Sequence, residues 1–168
     1  MNKARIAGAV YVLVFVTGGL ALGVRGGVGS AAGLIAGLLY VAVTLLFYDL
    51  FKPVNRRLSL LAASVGLAGV AAGPVLKLNP LPFFGIYCLL IGYLILRSTL
   101  LPRTLGALMM VAGLGWLTFL APSLANSLSP YNFVPGLIGE GALTVWLLVF
   151  GVNVSEREER ADAEATSA

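Results

Sequence analysis

The sequence predicts an all-α integral membrane protein, a bundle of six transmembrane helices with both ends in the cytoplasm. Three observations predict it. Only 11% of the 168 residues are charged and 59% are hydrophobic, whereas a water-soluble domain carries about a quarter charged residues. The apolar residues fall in long runs, not in the short or alternating patches of a soluble core. Lysine and arginine gather in alternate connections between those runs, as the positive-inside rule requires.

Six apolar segments are each about long enough to cross some 30 Å of hydrocarbon at 1.5 Å per residue. They occupy residues 6–24, 30–50, 58–76, 81–96, 104–121 and 134–154. The first, preceded by Lys3 and Arg5 and ending in Ala21-Leu22-Gly23, has some features of a signal peptide. Its apolar run is longer than a usual signal core and five more segments follow, so it reads as an uncleaved helix. The fourth is the shortest, with Pro82 in its first turn, where a missing N–H costs nothing.

With the N-terminus inside, the cytoplasmic side collects Lys3, Arg5, Lys52, Arg56, Arg57, Arg97, Arg103, Arg157 and Arg160, and the outer side keeps Arg25 and Lys77. An odd number of spans would break that bias. The expected location is therefore the cytoplasmic (inner) membrane. Connections at 25–29, 51–57, 77–80 and 97–103 are brief, which makes sequence neighbours antiparallel spatial neighbours. The outer connection at 122–133 is longer, uncharged and holds Pro122 and Pro130. Residues 1–154 thus form one transmembrane domain. From 155 to 168 the large apolar residues vanish and acids outnumber bases, as in a solvated cytoplasmic tail.

The net charge of +4 does not indicate a nucleic-acid partner, because the basic residues are scattered between apolar runs with no stripe of exposed aromatics among them. Cys88 is the sole cysteine, so no intramolecular disulfide exists. The sequence has no histidine. That removes imidazole-ligated haem or metal, histidine acid–base catalysis and Ser-His-Asp triads, and no cofactor or metal is expected.

Four strings carry a resemblance: Arg5-Ile-Ala-Gly, Lys52-Pro-Val-Asn-Arg-Arg-Leu-Ser-Leu-Leu-Ala-Ala, Gly92-Tyr-Leu-Ile-Leu-Arg-Ser-Thr-Leu-Leu-Pro-Arg-Thr-Leu-Gly, and Gly139-Glu-Gly-Ala-Leu-Thr-Val-Trp-Leu-Leu-Val-Phe-Gly-Val-Asn. In that order, over residues 5 to about 153, the chain resembles the bacterial membrane family known as domain of unknown function 4386. The resemblance implies a multi-pass membrane protein and no particular activity. The chain departs from the family in the short segment between its third and fourth helices.

Two sets of residues stand out within the segments. Gly29, Gly33 and Gly37 recur every four residues on the second helix, and Gly66, Gly69 and Gly73 line the third. Small residues at this spacing let helix backbones approach closely, and van der Waals contact is a main source of helix association in lipid. Packing within one chain is the ordinary reading; a dimer face or a narrow glycine-lined cavity are the alternatives. The second set centres on Glu140, the sole acid well inside an apolar run. An ionised acid at a helix centre costs about 2.5–3.5 kcal/mol on insertion scales, so its surroundings must offset that. Gly136 at i−4 and Thr144 at i+4 place it on a small, polar stripe that faces other helices. Lys77 continues the glycine face of the third helix; its stem leans inward to Glu140 or snorkels to the headgroups. Asp49 reads as an interfacial ion-pair partner of Lys52 and Arg56, Phe83, Phe84, Tyr131 and Phe133 as outer interfacial anchors, and Trp116 and Trp146 as packing residues.

Two functional expectations follow. One is a small-solute transporter or a binder of lipid or another hydrophobic ligand, built around Glu140, Lys77 and Thr144. The alternative is a non-enzymatic interaction or regulatory protein of the bilayer, and a sealed Glu140 would favour it. An intramembrane enzyme is not expected, since a protease-type dyad needs two facing carboxylates and only Glu140 is deep.

Overall fold

The computed structural model describes residues 3–152. Among the described residues the chain is all-α, with seven α-helices and no strand. They are α1 (Lys3–Gly23), α2 (Gly27–Phe51), α3 (Arg56–Ala72), α4 (Leu81–Arg97), α5 (Arg103–Leu117), α6 (Pro122–Leu128) and α7 (Val134–Val149). Six of these match the six apolar segments to within a few residues. The seventh, α6, lies in the connection between α5 and α7, which is more ordered than its prolines and small polar residues suggest: two 3₁₀ turns, Thr118–Leu120 and Tyr131–Phe133, flank it. Asn132 anchors this connection from a buried position, its Nδ2 donating to the Ala125 carbonyl at 3.3 Å and to Thr118 Oγ1 at 3.5 Å. Residues 153–154 of the sixth segment and the whole of the expected tail lie outside the described residues.

Four helical stretches are long and apolar enough to cross a membrane: Lys3–Gly23, Gly27–Phe51, Arg103–Leu120 and Tyr131–Val149. Helices α3 and α4 have 17 residues each. The outward surface suits such a medium. Leu34, Ile35, Leu38 and Leu45 form an exposed stripe along α2, and Leu22 is 81% exposed. In water such patches would drive aggregation.

Local chemistry sets the helix ends. Gly26 takes φ 88 between α1 and α2, a left-handed conformation that glycine adopts without strain. Asn55 caps α3, its Oδ1 accepting from Leu58 N at 3.0 Å, which accounts for the Asn of the Lys-Pro-Val-Asn string. Asn79 Oδ1 accepts from Leu81 N at 3.0 Å, and Pro82 occupies the first turn of α4 as expected. At the other end of α4, Ser98 is buried with its hydroxyl donating to the Ile95 carbonyl, Leu101 is buried, and Pro102 stops the chain just before α5 begins.

The six long helices form a closed circuit. Helix α1 packs on α2, α2 on α3, α3 on α4, α4 on α5, α5 on α7, and α7 returns to α1. Tyr11, Phe47, Tyr87, Ile91, Met109, Leu143 and Leu147 fill its centre, each nearly or wholly buried.

Glycine sets tight seams, at some of the positions singled out above and at others. A Cβ built at Gly92 would lie 2.7 Å from the Gly106 carbonyl oxygen, and one at Gly106 would lie 2.8 Å from that of Gly92. Gly85 and Gly113 repeat the reciprocal contact seven residues along, at 2.9 and 2.7 Å. A Cβ at Gly8 would meet Leu148 N on α7 at 2.8 Å. Of the expected packing glycines, Gly66 abuts Thr44 and Tyr87, Gly69 abuts Phe83 and Phe84, and Gly29 backs onto the Val24 carbonyl. Gly33 and Gly37 have room for a Cβ in ordinary contact, and nothing lies within 4 Å of one at Gly73. Phe84 meets Tyr40 at 4.6 Å with the two rings tilted, so this aromatic packs against the core of the bundle.

These contacts fix an expected order of effects. Gly92→Ala should destabilise by about 1–3 kcal/mol, because backbone and not a flexible side-chain tip must move. Gly73→Ala should be neutral. Thermal unfolding of the two purified variants in one detergent checks both.

Candidate functional site

Glu140 sits in the second turn of α7, 7% exposed, and its carboxylate is held from three other helices. The Tyr11 hydroxyl of α1 donates to Oε2 at 2.5 Å. The Trp116 indole of α5 donates from Nε1 to Oε1 at 2.6 Å. The Cys88 thiol of α4 reaches Oε1 at 3.7 Å, a weak third bond. Among the described residues no cation is paired with this carboxylate. Neutral donors alone compensate it, each aimed at an oxygen that water cannot reach.

The helices place these donors by backbone design. A Cβ at Gly136 would collide with the Trp116 ring, so the glycine four residues before Glu140 is the slot through which the indole approaches α7. A Cβ at Gly115 would lie 3.0 Å from Pro135, so that glycine lets the two helices close around the same indole. Phe133 meets Trp116 edge-on at 5.6 Å. Tyr11 is stacked with Phe15 at 5.5 Å and crossed by Phe47 at 5.9 Å and Tyr40 at 6.3 Å, which leaves its hydroxyl one direction to point.

Thr144 is buried, but its hydroxyl donates to the Glu140 backbone carbonyl at 2.7 Å, not to the carboxylate. Lys77 stands exposed in the connection after α3 with φ 56, and its amine is not among the partners of Glu140. Asp49 is engaged by Lys3 and Lys52 at the end of α2. Tyr11 and Cys88 are the partners that sequence reasoning missed, and Trp116 was read only as packing. A signal was present for Tyr11: a lone phenol in the middle of the first apolar segment needs a partner as much as an acid does.

Beside the carboxylate lies a second polar feature. The hydroxyls of Tyr40, Thr44 and Tyr87 are buried there, Thr44 beside Tyr87 and Tyr40 beside Tyr11. Tyr40 and Tyr87 meet at 5.7 Å, and Thr44 and Tyr87 both face Gly66. Among the described residues no three His, Cys, Asp or Glu side chains gather as a metal would require.

Removing one donor should expose the dependence of the fold on this site. Tyr11→Phe and Trp116→Phe should each destabilise by about 1–3 kcal/mol, the usual cost of an unmatched buried polar group. Gly136→Ala should do the same while shifting Trp116 emission, since the indole must leave its slot. Thermal unfolding and tryptophan fluorescence of the variants are the measurements.

Comparison with known proteins agrees with the resemblance carried by the sequence. A curated relative from Archaeoglobus fulgidus, described as an uncharacterized protein, is 28% identical over 137 residues, covering 71% of this chain and 81% of its own. No solved structure matches. The Gly85–Gly113 and Gly92–Gly106 pairs, Trp116 and Glu140 all fall within residues 76–151, the stretch that matches the model of the family described as domain of unknown function (DUF4386).

Proposed function

We propose that this chain is a six-span protein of the cytoplasmic membrane, both ends inside, acting as a non-enzymatic interaction or regulatory bundle. The observation that supports this reading over a carrier built on Glu140 is the closure of its site. Three donors occupy the two carboxylate oxygens, and α1, α4, α5 and α7 surround them. A solute would have to displace a fully formed set of hydrogen bonds to reach the acid. The six-span count is supported by the closed circuit of antiparallel helices, in which α3 and α4, at 17 residues, are short spans that local bilayer thinning accommodates. The inside-facing ends are supported by the nine-to-two distribution of lysine and arginine. In this reading Glu140 works as a polar pin that fixes helix register.

A second reading, movement of a proton or small solute, draws on the cluster of buried hydroxyls of Tyr40, Thr44 and Tyr87 beside Tyr11.

Reconstitution into vesicles separates the two. If Glu140 is a pin, Glu140→Gln lowers the thermal midpoint and leaves proton and solute flux at the level of the parent chain. A gradient-driven flux that vanishes in a folded, monodisperse Glu140→Gln protein overturns the pin and establishes transport. For topology, a reporter fused at the C-terminus should be active in the cytoplasm; a periplasmic signal refutes the even number of spans.

A further inference from the structure

The partners of Glu140 divide between its two oxygens by chemical kind. Oε1 receives the Trp116 indole at 2.6 Å and the Cys88 thiol at 3.7 Å. An indole N–H only donates and a thiol is a weak donor, so both call for lone pairs on the oxygen they meet. Oε2 meets the Tyr11 hydroxyl at 2.5 Å. A phenol both donates and accepts, so the hydrogen of that contact can sit on either oxygen. Beside Tyr11 stands a second phenol, Tyr40, with ring centroids 6.3 Å apart and the two hydroxyls neighbouring each other. Tyr87 follows at 5.7 Å from Tyr40, with Thr44 next to it.

A neutral carboxylic acid has this same division. Its carbonyl oxygen takes two donors, and its hydroxyl oxygen gives one hydrogen away. An ionised carboxylate accepts at both oxygens, and out of reach of water it is kept charged by a paired cation or by several strong donors. The elements around Glu140 bring Tyr11 from α1, Tyr40 and Thr44 from α2, Tyr87 and Cys88 from α4, Trp116 from α5 and Thr144 from α7 itself. Helix α3 adds Gly66, against Thr44 and Tyr87. None of these is a cation, and the Thr144 hydroxyl is spent on the Glu140 backbone carbonyl. The ion pairs of the described residues are those of Asp49 with Lys3 and Lys52, at the end of α2.

We propose that Glu140 is a proton-binding site: the hydrogen sits on Oε2 and is donated to the Tyr11 oxygen, Tyr11 donates on to Tyr40, and Oε1 is the carbonyl that accepts from Trp116 and Cys88. The inference deepens the pin reading and rests on the closed site described there. The proton is taken from water before the bundle closes over the acid. It turns a costly buried charge into a neutral group that donates at one oxygen and accepts at the other. Helices α1 and α2 are then tied to α7 through one chain of hydroxyls. Loss of the proton makes Oε2 an acceptor and reverses the Tyr11 and Tyr40 hydroxyls, with no heavy atom moved.

The test is the infrared spectrum of the full-length protein near neutrality, in a maltoside detergent that has no carbonyl group of its own. A protonated carboxyl shows a carbonyl stretch well above the bands of amides and carboxylates. The parent chain should show one such band, and Glu140→Gln should lose it. Trp116→Phe takes a donor from the carbonyl oxygen and should move the band to higher frequency. Changing Glu156, Glu158, Glu159 and Glu164 to Gln should leave it in place. Should Glu140→Gln fail to fold, labelling glutamate at its carboxyl carbon in that last variant gives the assignment, because it shifts a Glu140 band and leaves an aspartate band alone. A parent spectrum with carboxylate bands only overturns the proposal, as does a band that survives Glu140→Gln or that Trp116→Phe leaves unmoved. The pin is decided separately, by flux. Carboxylate bands without flux leave the pin standing on its three donors, whereas an acid band in a chain whose flux depends on Glu140 keeps the proton and overturns the pin.

Discussion

A carboxyl group inside an apolar bundle must find its hydrogen-bond donors in protein, and here they come from three different helices. Glu140 of α7 is reached by Tyr11 of α1, Cys88 of α4 and Trp116 of α5. The first and last long helices of the circuit are therefore joined by a polar contact about two turns along α7 from the point where Gly8 lets their backbones touch. Apolar packing alone is tolerant of small rotations, because one buried methyl group resembles another. A carboxylate with separate donors on each oxygen is not, so it specifies the register in which the circuit closes.

The second organising device is the hairpin of α4 and α5. Its two reciprocal glycine pairs, each a Gly–Gly contact in which one backbone fills the space of the other's missing Cβ, bring the helices together along their length. The pairs sit seven residues apart on both helices, two turns along one face. This places Trp116, just beyond the second pair, and Cys88, between the pairs on α4, against α7 with little freedom to shift. The hairpin thus acts as the rigid jaw of the Glu140 site, and α1 is the part that seals it.

Much of this architecture was legible in the sequence. Long apolar runs and sparse charge gave the six long helices nearly to their ends, because hydrophobicity over about 20 residues is a strong signal. Glu140 was legible for the complementary reason, as a lone acid in an apolar setting. Its partners were not, because Tyr11, Cys88 and Trp116 are far from it in sequence and look like ordinary core residues. The glycine pairs of α4 and α5 were overlooked for a different reason. Spacings of three and four residues mark α2 and α3, whereas the reciprocal contacts of α4 and α5 repeat after seven, and Gly73 and Gly33 show that the shorter pattern alone does not mean contact. The connection between α5 and α7 was less legible because its prolines suggest irregular chain, whereas Pro122 starts a short helix and buried Asn132 holds it.

The distance in sequence between the two ends of the Tyr11–Glu140 bond, 129 residues, has a consequence for biosynthesis. At translation speeds of about 5–20 residues per second, roughly ten seconds pass between the appearance of the phenol and that of its carboxylate. Throughout that interval the emerging polypeptide carries an unanswered hydroxyl and, later, an unanswered indole N–H. Helix α7 supplies their acceptor, so the nascent bundle stays open to exchange of partners until that helix has emerged.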